Sequence, residues 1–398
     1  MNRRVVVTGV GVYCACGKSR NEFWDALAAG RSAIGALEGF PQVRFAHAAQ
    51  IRGHDAGAHF TAKEIDLLDL FAQYALIAAA EAVADCGIEW SEALRESTGV
   101  ITGSCVGGKN TEDTSFRELY EDKRTRFHPM IIPRTMANAG ASMIGMRYGL
   151  TGASFTASTA CSSANHAIAQ ALWMIRQGQL EMAIAGGSEA PFTLGHLKAW
   201  EGLRVVSPDT CRPFCADRKG MILGEGAAML VLEPLDAALA RGAGIYAELA
   251  GAGMSADAHH ITQPSTEGAA KAMRLALRDA GLEAKQVGYV NAHGTGTSAN
   301  DPVEASAIRA VFPDGVAVSS TKSMHGHALG AAGAIEAVAT VLALHNGLLP
   351  PTANFTVRDA ACDIDAIANE ARHSQVEAAI SSSFAFGGLN AVLAFRCL

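Results

Sequence analysis

A single cysteine in a run of small residues gives the strongest chemical signal in the chain: Ala157-Ser158-Thr159-Ala160-Cys161-Ser162-Ser163-Ala164-Asn165-His166-Ala167. Apolar residues follow at Ile168, Ala171, Leu172 and Ile175, a helical spacing that ends at Gly178. Cys161 is therefore expected on a tight turn at a helix N-terminus. There the helix dipole and unpaired backbone N–H groups lower a thiol pKa and can bind an oxyanion. The same stretch also suits a buried cysteine that packs as a small hydrophobe. Two later turns share its design of apolar strand, small residues and a functional side chain. One is Asn291-Ala292-His293-Gly294-Thr295-Gly296-Thr297, and the other is Lys322-Ser323-Met324-His325-Gly326-His327-Ala328-Leu329-Gly330. In parallel sheets such turns gather at the strand C-terminal ends, where α/β active sites form. A thiol nucleophile near two ring N–H donors follows from that convergence. Either histidine taken alone reads more readily as a satisfied core or loop residue than as a functional one. His325 stands two residues from His327, so on a helix it points elsewhere and fits a supporting role. His166, His259 and His260 lack the glycine context and read as structural.

The elements that must carry these turns follow from the apolar pattern. The chain has 398 residues, 49% hydrophobic and 18% charged, enough for a large core. Its net charge of −7 and lack of a basic tail argue against nucleic acid as a partner. The N-terminus runs straight into a strand pattern without a signal-peptide core, and no apolar run reaches spanning length. No membrane association and a cytoplasmic location are expected. Nine cysteines without paired spacing argue against a disulfide framework, and Cys14/Cys16 and Cys211/Cys215 do not have zinc spacing.

Arg4 to Val12 reads as a buried parallel strand breaking into Gly9 and Gly11. The third glycine of a dinucleotide fingerprint is missing. Asn21–Ala29 and Ala62–Cys86 read as helices, and Thr98–Gly103 as a strand. Met130–Met146 reads as a buried loop and helix. Phe155–Ser158, the Cys161 helix and Met182–Gly187 form a βαβ unit. Ser207–Gly226 is polar and irregular, and Ala227–Glu233 is a strand. The pattern then restarts: Ala247–Gly253 echoes Val5–Gly11. Gly268–Gly281 reads as a helix, Val287–Asn291 and Val316–Ser320 as strands, and Ala328–Asn346 as a helix closed by Gly347. Ala378–Ser383 and Leu389–Arg396 close the chain as strands. An internal duplication is expected, with residues 1–245 carrying the nucleophile and 246–398 carrying the two histidines.

Four motifs, in order along essentially the whole chain, resemble the β-ketoacyl–acyl-carrier-protein synthases of the elongating Cys-His-His type. They are Thr159-Ala160-Cys161-Ser162-Ser163, Asn291 through Thr297, Lys322 through Gly333, and Phe384-Ala385-Phe386-Gly387-Gly388. The resemblance implies an α/β thiolase fold, a five-layered αβαβα arrangement of two similar halves, and a dimer. It implies that Cys161 takes an acyl chain from a carrier protein. His293 and His327 then hold the malonyl thioester carbonyl and promote decarboxylation, and the enolate attacks the acyl group on Cys161. The backbone N–H groups of Cys161 and Phe386 form the oxyanion hole, and Phe386 is also the gate. Lys322 and Glu336 match an ion pair beside the second histidine. Thr295 and Thr297 match hydroxyls that line a phosphopantetheine tunnel, the prosthetic arm arriving on the carrier. Val106 and Met130 match acyl-pocket positions that also read as core packing. Neutral imidazoles suit an enolate because they stabilise its charge without trapping a proton. No other cofactor and no metal are implied. Arg124, Arg126 and Arg204 are candidate contacts for an acidic carrier.

Two positions depart from the family pattern: Ala385 replaces a common glycine, and Leu389 replaces a common threonine. The stretches Leu197–Gly220 and Ser255–Ala258 are similar to the nodulation protein E branch and related polyene ketosynthases, which implies a specialised acyl chain and either a homodimer or a heterodimer with a chain-length factor. A non-catalytic chain-length factor is the competing reading, but such partners usually lack the nucleophile. A degradative thiolase would want a second acid/base cysteine and one histidine.

Overall fold

The computed structural model describes residues 3–398. Strand β1 (Val5–Cys14) is buried at every position. It is joined in the first half by β2 (Thr98–Gly103), β3 (Ser154–Ala157), β4 (Met182–Glu189) and β5 (Gly226–Pro234), in the spatial order β3-β2-β4-β5-β1. β2 runs parallel to β3 and β4, whereas β5 is antiparallel to both β4 and β1. The second half repeats this with β6 (Ala247–Ala256), β7 (Val287–Asn291), β8 (Ala317–Ser319), β9 (Ala378–Ala385) and β10 (Leu389–Arg396), in the order β8-β7-β9-β10-β6. β7 is parallel to β8 and β9, and the β9–β10 and β10–β6 pairs are antiparallel. The halves meet where Val6 and Val7 of β1 pair antiparallel with Glu248 and Ala247 of β6. A two-residue strand at Asp365–Ala366 extends the β8 edge.

The expectation that β1 is parallel is corrected: both of its neighbours run antiparallel to it. A strand buried on both faces gives the same unbroken apolar run whichever way its partners run. Nor do Gly9 and Gly11 form a ligand turn. A Cβ there would come within 2.2 Å of the Ala82 carbonyl oxygen and 2.0 Å of that of Ala78. Both carbonyls belong to helix α1 (Leu70–Cys86), which lies directly on β1. Gly251 and Gly253 in β6 do the same for a second helix, with contacts of 2.4 Å to the Ala280 nitrogen and 2.2 Å to the Ala272 carbonyl oxygen. The repeated Gly-x-Gly is a packing device used once in each half.

The remaining helices complete the layers. In the first half these are α2 (Ala139–Tyr148), α3 (Ser163–Arg176) and α4 (Leu194–Leu203); in the second, α5 (Thr266–Ala280), α6 (Asn300–Val311) and α7 (Ala332–Asn346). α1 and α2 cover the outer face of the first half, while α5, with α6 packed on it, covers the second. α3 and α7 lie between, and each touches strands of both halves. The result is the five-layered αβαβα thiolase fold. α7 is buried from Ala332 to Leu344. Among the described residues, Leu329–Asn346 is the one helical stretch long and apolar enough to cross a membrane, and it is 89% buried as this middle layer.

Most element boundaries shift by a residue or two from the sequence reading. The helix expected over Ala62–Cys86 is two helices, Ala62–Ile65 and α1. The Asp69 carboxylate accepts the Phe71 N–H at 3.2 Å and caps a fresh start. Met130–Met146 divides into a short helix, Ile131–Thr135, and α2. A 3₁₀ turn at Leu329–Ala331 precedes α7.

Candidate active site

Cys161 lies between the C-terminal end of β3 and the start of α3. Ala160, just before it, has φ +52°, a left-handed conformation that costs an alanine energy. The turn's hydroxyls hold it in place. Ser162 Oγ donates to the Thr159 carbonyl at 2.9 Å, Ser163 Oγ donates to the Ala160 carbonyl at 2.6 Å, and the Thr159 N–H donates to Ser163 Oγ at 2.9 Å. Asn165 Nδ2 donates to the Ser381 and Ala391 carbonyls at 3.3 and 3.1 Å, tying α3 to the β9–β10 hairpin of the other half.

His293 follows β7 and is fixed through its backbone. The Glu304 carboxylate accepts the His293 and Gly294 N–H groups, each at 2.7 Å, and Asn300 Nδ2 at 2.9 Å. Asp301 holds the Gly296 N–H at 3.2 Å and the Phe214 N–H at 2.8 Å. Both acids are buried on the first turns of α6. The sequence reading assigns no element to residues 300–311, so the positioning role of both acids goes unread. His327 follows β8 and the short helix Lys322–His325. Its N–H donates to the Ile222 carbonyl at 2.7 Å, and its carbonyl accepts the Gly224 N–H at 2.9 Å. The irregular segment 207–226 thus serves as a backbone rail for this histidine.

These turns converge on one cavity of about 270 Å³. Cys161, His293, His327, Thr295, Thr297 and Phe386 all line it. The two imidazoles stand edge to face, with ring centroids 5.3 Å apart and planes at 85°, and Phe384 packs edge-on to His293 at 6.1 Å. Burial, then the nearby Lys322 cation, pushes both imidazoles well below the ordinary histidine range, so both are neutral donors at neutral pH. Each Nδ1 is buried without a hydrogen-bond partner.

The expectation of a lowered thiol pKa is corrected. Burial pushes Cys161 up to about 11. The Lys322 charge and the backbone N–H groups of Phe386 and of Cys161 itself pull it down without overcoming burial. Those two N–H groups therefore bear on the sulfur from different halves of the fold. Lys322 and Glu336 form a fully buried ion pair, and burial raises the Glu336 carboxyl to about 7. Thr295 Oγ1 and Thr297 Oγ1 are hydrogen-bonded to each other at 2.9 Å.

Other candidates fall outside the cavity. Val106 is half-buried, its N–H donating to Glu189 at 3.2 Å. Met130 is 40% exposed. Neither lines the cavity. Arg124 is exposed and paired with Glu118 at 3.0 Å, and Arg126 is exposed beside it. Arg204 ends α4 in a left-handed conformation, φ +56°, next to the cavity-lining Leu203. His325 is buried, with Nε2 at 2.9 Å from Thr321 Oγ1. His166 supports the Cys161 turn through Thr159. His260, read as structural, lines the cavity with Ile261 and Thr262. Trp200, Leu203, Val205 and Met221 form an apolar wall that the sequence reading did not assign. All nine cysteines are free. Among the described residues, no cluster of three or more His, Cys, Asp or Glu side chains is placed to share a metal ion.

Comparison with known proteins agrees with this geometry. The family profile "Beta-ketoacyl synthase, N-terminal domain" matches residues 2–238, and "Beta-ketoacyl synthase, C-terminal domain" matches residues 246–356. The chain is 45% identical to "Nodulation protein E" of Rhizobium sp. (strain N33) over 100% of both chains. It is 40% identical to "3-oxoacyl-[acyl-carrier-protein] synthase 2" of Coxiella burnetii over 98% of each. Among solved structures, "The ishigamide ketosynthase/chain length factor" superposes with a TM-score of 0.95 at 35% identity over 100% of both chains. The chain belongs to the β-ketoacyl synthase family and is a condensing acyltransferase of the elongating type.

Proposed function

We propose that the chain extends a specialised acyl chain, of the polyene class, by two carbons from malonyl-acyl carrier protein, with Cys161 as nucleophile and His293 and His327 as the decarboxylation pair. The observation that carries this reading is one cavity lined by a sulfur and two neutral imidazoles from three separate strand ends.

In the first half-reaction, the Cys161 sulfur attacks the acyl thioester on the carrier. The C–S bond to the carrier breaks, and the proton from Cys161 leaves on the carrier thiol. Lys322 and the two N–H groups at the sulfur stabilise the thiolate as it forms. In the second, the malonyl thioester loses its carboxylate as carbon dioxide. Negative charge gathers on the thioester oxygen, which accepts hydrogen bonds from the His293 and His327 rings. The enolate carbon attacks the acyl carbonyl on Cys161, and the new oxyanion rests on the backbone N–H groups of Cys161 and Phe386. Collapse of that intermediate breaks the C–S bond and expels the Cys161 sulfur as a thiolate, which takes a proton from water to return the thiol.

In this reading Thr295 and Thr297 flank the phosphopantetheine arm, and Arg204 beside the mouth, with Arg124 and Arg126, meets the acidic carrier. Residues 1–245 supply the nucleophile and 246–398 the histidines. The work takes place in the cytoplasm. A second chain, either a copy or a chain-length factor, covers the β3 edge and the exposed Met130, Ile132 and Met136, bringing Met130 and Val106 to the acyl chain. The 45% identity to nodulation protein E supports a specialised rather than a housekeeping chain.

Incubation with acyl- and malonyl-carrier proteins, followed by intact-mass measurement, tests the reading. The expected results are an acyl mass on Cys161 and a carrier product longer by one β-keto two-carbon unit. An enzyme that never carries an acyl group contradicts it.

A further inference from the structure

Phe386 is 37% exposed, yet its loop is tied down. The Gly387 N–H donates to the Ile261 carbonyl at 2.7 Å, and the Gly388 N–H donates to the Ala385 carbonyl at 3.0 Å. The ring is stacked on the indole of Trp200, with centroids 6.2 Å apart and planes at 27°. Trp200 is itself only 9% exposed. Its Nε1–H donates to His196 Nε2 at 2.8 Å, one turn earlier on α4. α4 is anchored at both ends. Thr193 caps it by accepting the His196 N–H at 3.4 Å, and Glu201 accepts the Arg44 N–H at 2.6 Å. Trp200 lines the catalytic cavity on one side. On the other it borders a shallow pocket of about 310 Å³ with Arg44, Phe45 and Arg204.

We infer that Trp200, locked by its hydrogen bond to His196, is the backstop against which the Phe386 ring closes, and so sets how well the acyl-Cys161 thioester is shielded from water between the two half-reactions. Trp200 is a positioning residue acting through Phe386. A benzene ring offers the same stacking face but has no N–H with which to be locked, so the indole is required for the fixed orientation. The inference rests on the condensing reading above.

The test is the lifetime of the acyl-enzyme without malonyl carrier, followed by intact mass in the wild type and in Trp200→Phe, Trp200→Ala and His196→Leu. Hydrolysis, counted per loaded enzyme, is expected to rise about threefold in Trp200→Phe and His196→Leu, and about tenfold in Trp200→Ala. In a Phe386→Ala background, Trp200→Phe and His196→Leu are expected to add nothing, because the ring they hold is gone. If Trp200→Ala does not fold, the two milder variants carry the test. Unchanged hydrolysis in those variants, or effects fully additive with Phe386→Ala, overturn the inference while leaving the condensing reading intact. A wild-type enzyme that never loads an acyl group overturns the condensing reading itself, and this inference with it.

Discussion

Burial dominates the chemistry of the individual residues. Cys161 sits at a helix start beside a lysine, yet its surroundings are dry enough to push the thiol up to about 11. The free enzyme therefore holds a neutral thiol at pH 7, and its thiolate fraction grows as pH rises toward that value. Alkylation of Cys161 by iodoacetamide is expected to accelerate about tenfold per pH unit from 7 to 10. A plateau below pH 8 would show a pre-formed thiolate and contradict this balance. The histidines depend equally on what the sequence hides. Glu304 accepts the N–H groups of both His293 and Gly294, and Glu304→Ala leaves those donors buried and unpaired, at about 1–3 kcal/mol each. Condensation should fall about 100-fold in that variant while acyl transfer to Cys161 changes little. Equal losses in both half-reactions would argue that Glu304 merely supports the fold.

The elements most legible in the sequence are the strands that end in functional turns. β7 and β8 read correctly because apolar runs breaking into small residues have few alternatives, whereas β3, with Ser154 and Thr156 and no buried position, was legible from the cysteine turn it leads into. What failed was anything decided by a partner. β1 gave no sign of its antiparallel neighbours, and the Ala62–Cys86 pattern concealed the break that Asp69 makes. The wall formed by Trp200, Leu203, Val205 and Met221 lies on a helix end and loop whose side chains meet the site only through tertiary packing. Between elements, the Lys322–Glu336 pair links the short helix before His327 to α7. Lys322→Ala strands a buried carboxylate and should cost about 3–5 kcal/mol in denaturant unfolding. The double variant Lys322→Met/Glu336→Leu should recover most of that stability, yet still condense poorly, because the cation acting on Cys161, His293 and His327 is gone. Recovery of both stability and activity would make the pair purely structural.

At the scale of the whole molecule, the two similar halves of the fold were legible, since β1 and β6 use the same glycine spacing against corresponding helices. The continuous path of the sheet through β1 and β6 was not, because among the described residues only two strand pairings, Val6 with Glu248 and Val7 with Ala247, join β1 to β6. The outer edge of the first half is open. β3 ends the sheet there, and Phe155 is 38% exposed on it. An unpaired apolar edge is a pairing surface, and on the proposed two-chain reading Phe155→Lys should lower the mass in light scattering to that of one chain. An unaltered mass would place the contact elsewhere. The central claim is that three distant turns form one catalytic centre, and its most direct test is a pair of single variants, His293→Asn and His327→Asn, each assayed by mass for both half-reactions. Each should still place the acyl group on Cys161 and yield no extended product. Normal extension by either variant, or an acyl group carried anywhere other than Cys161, would contradict the account.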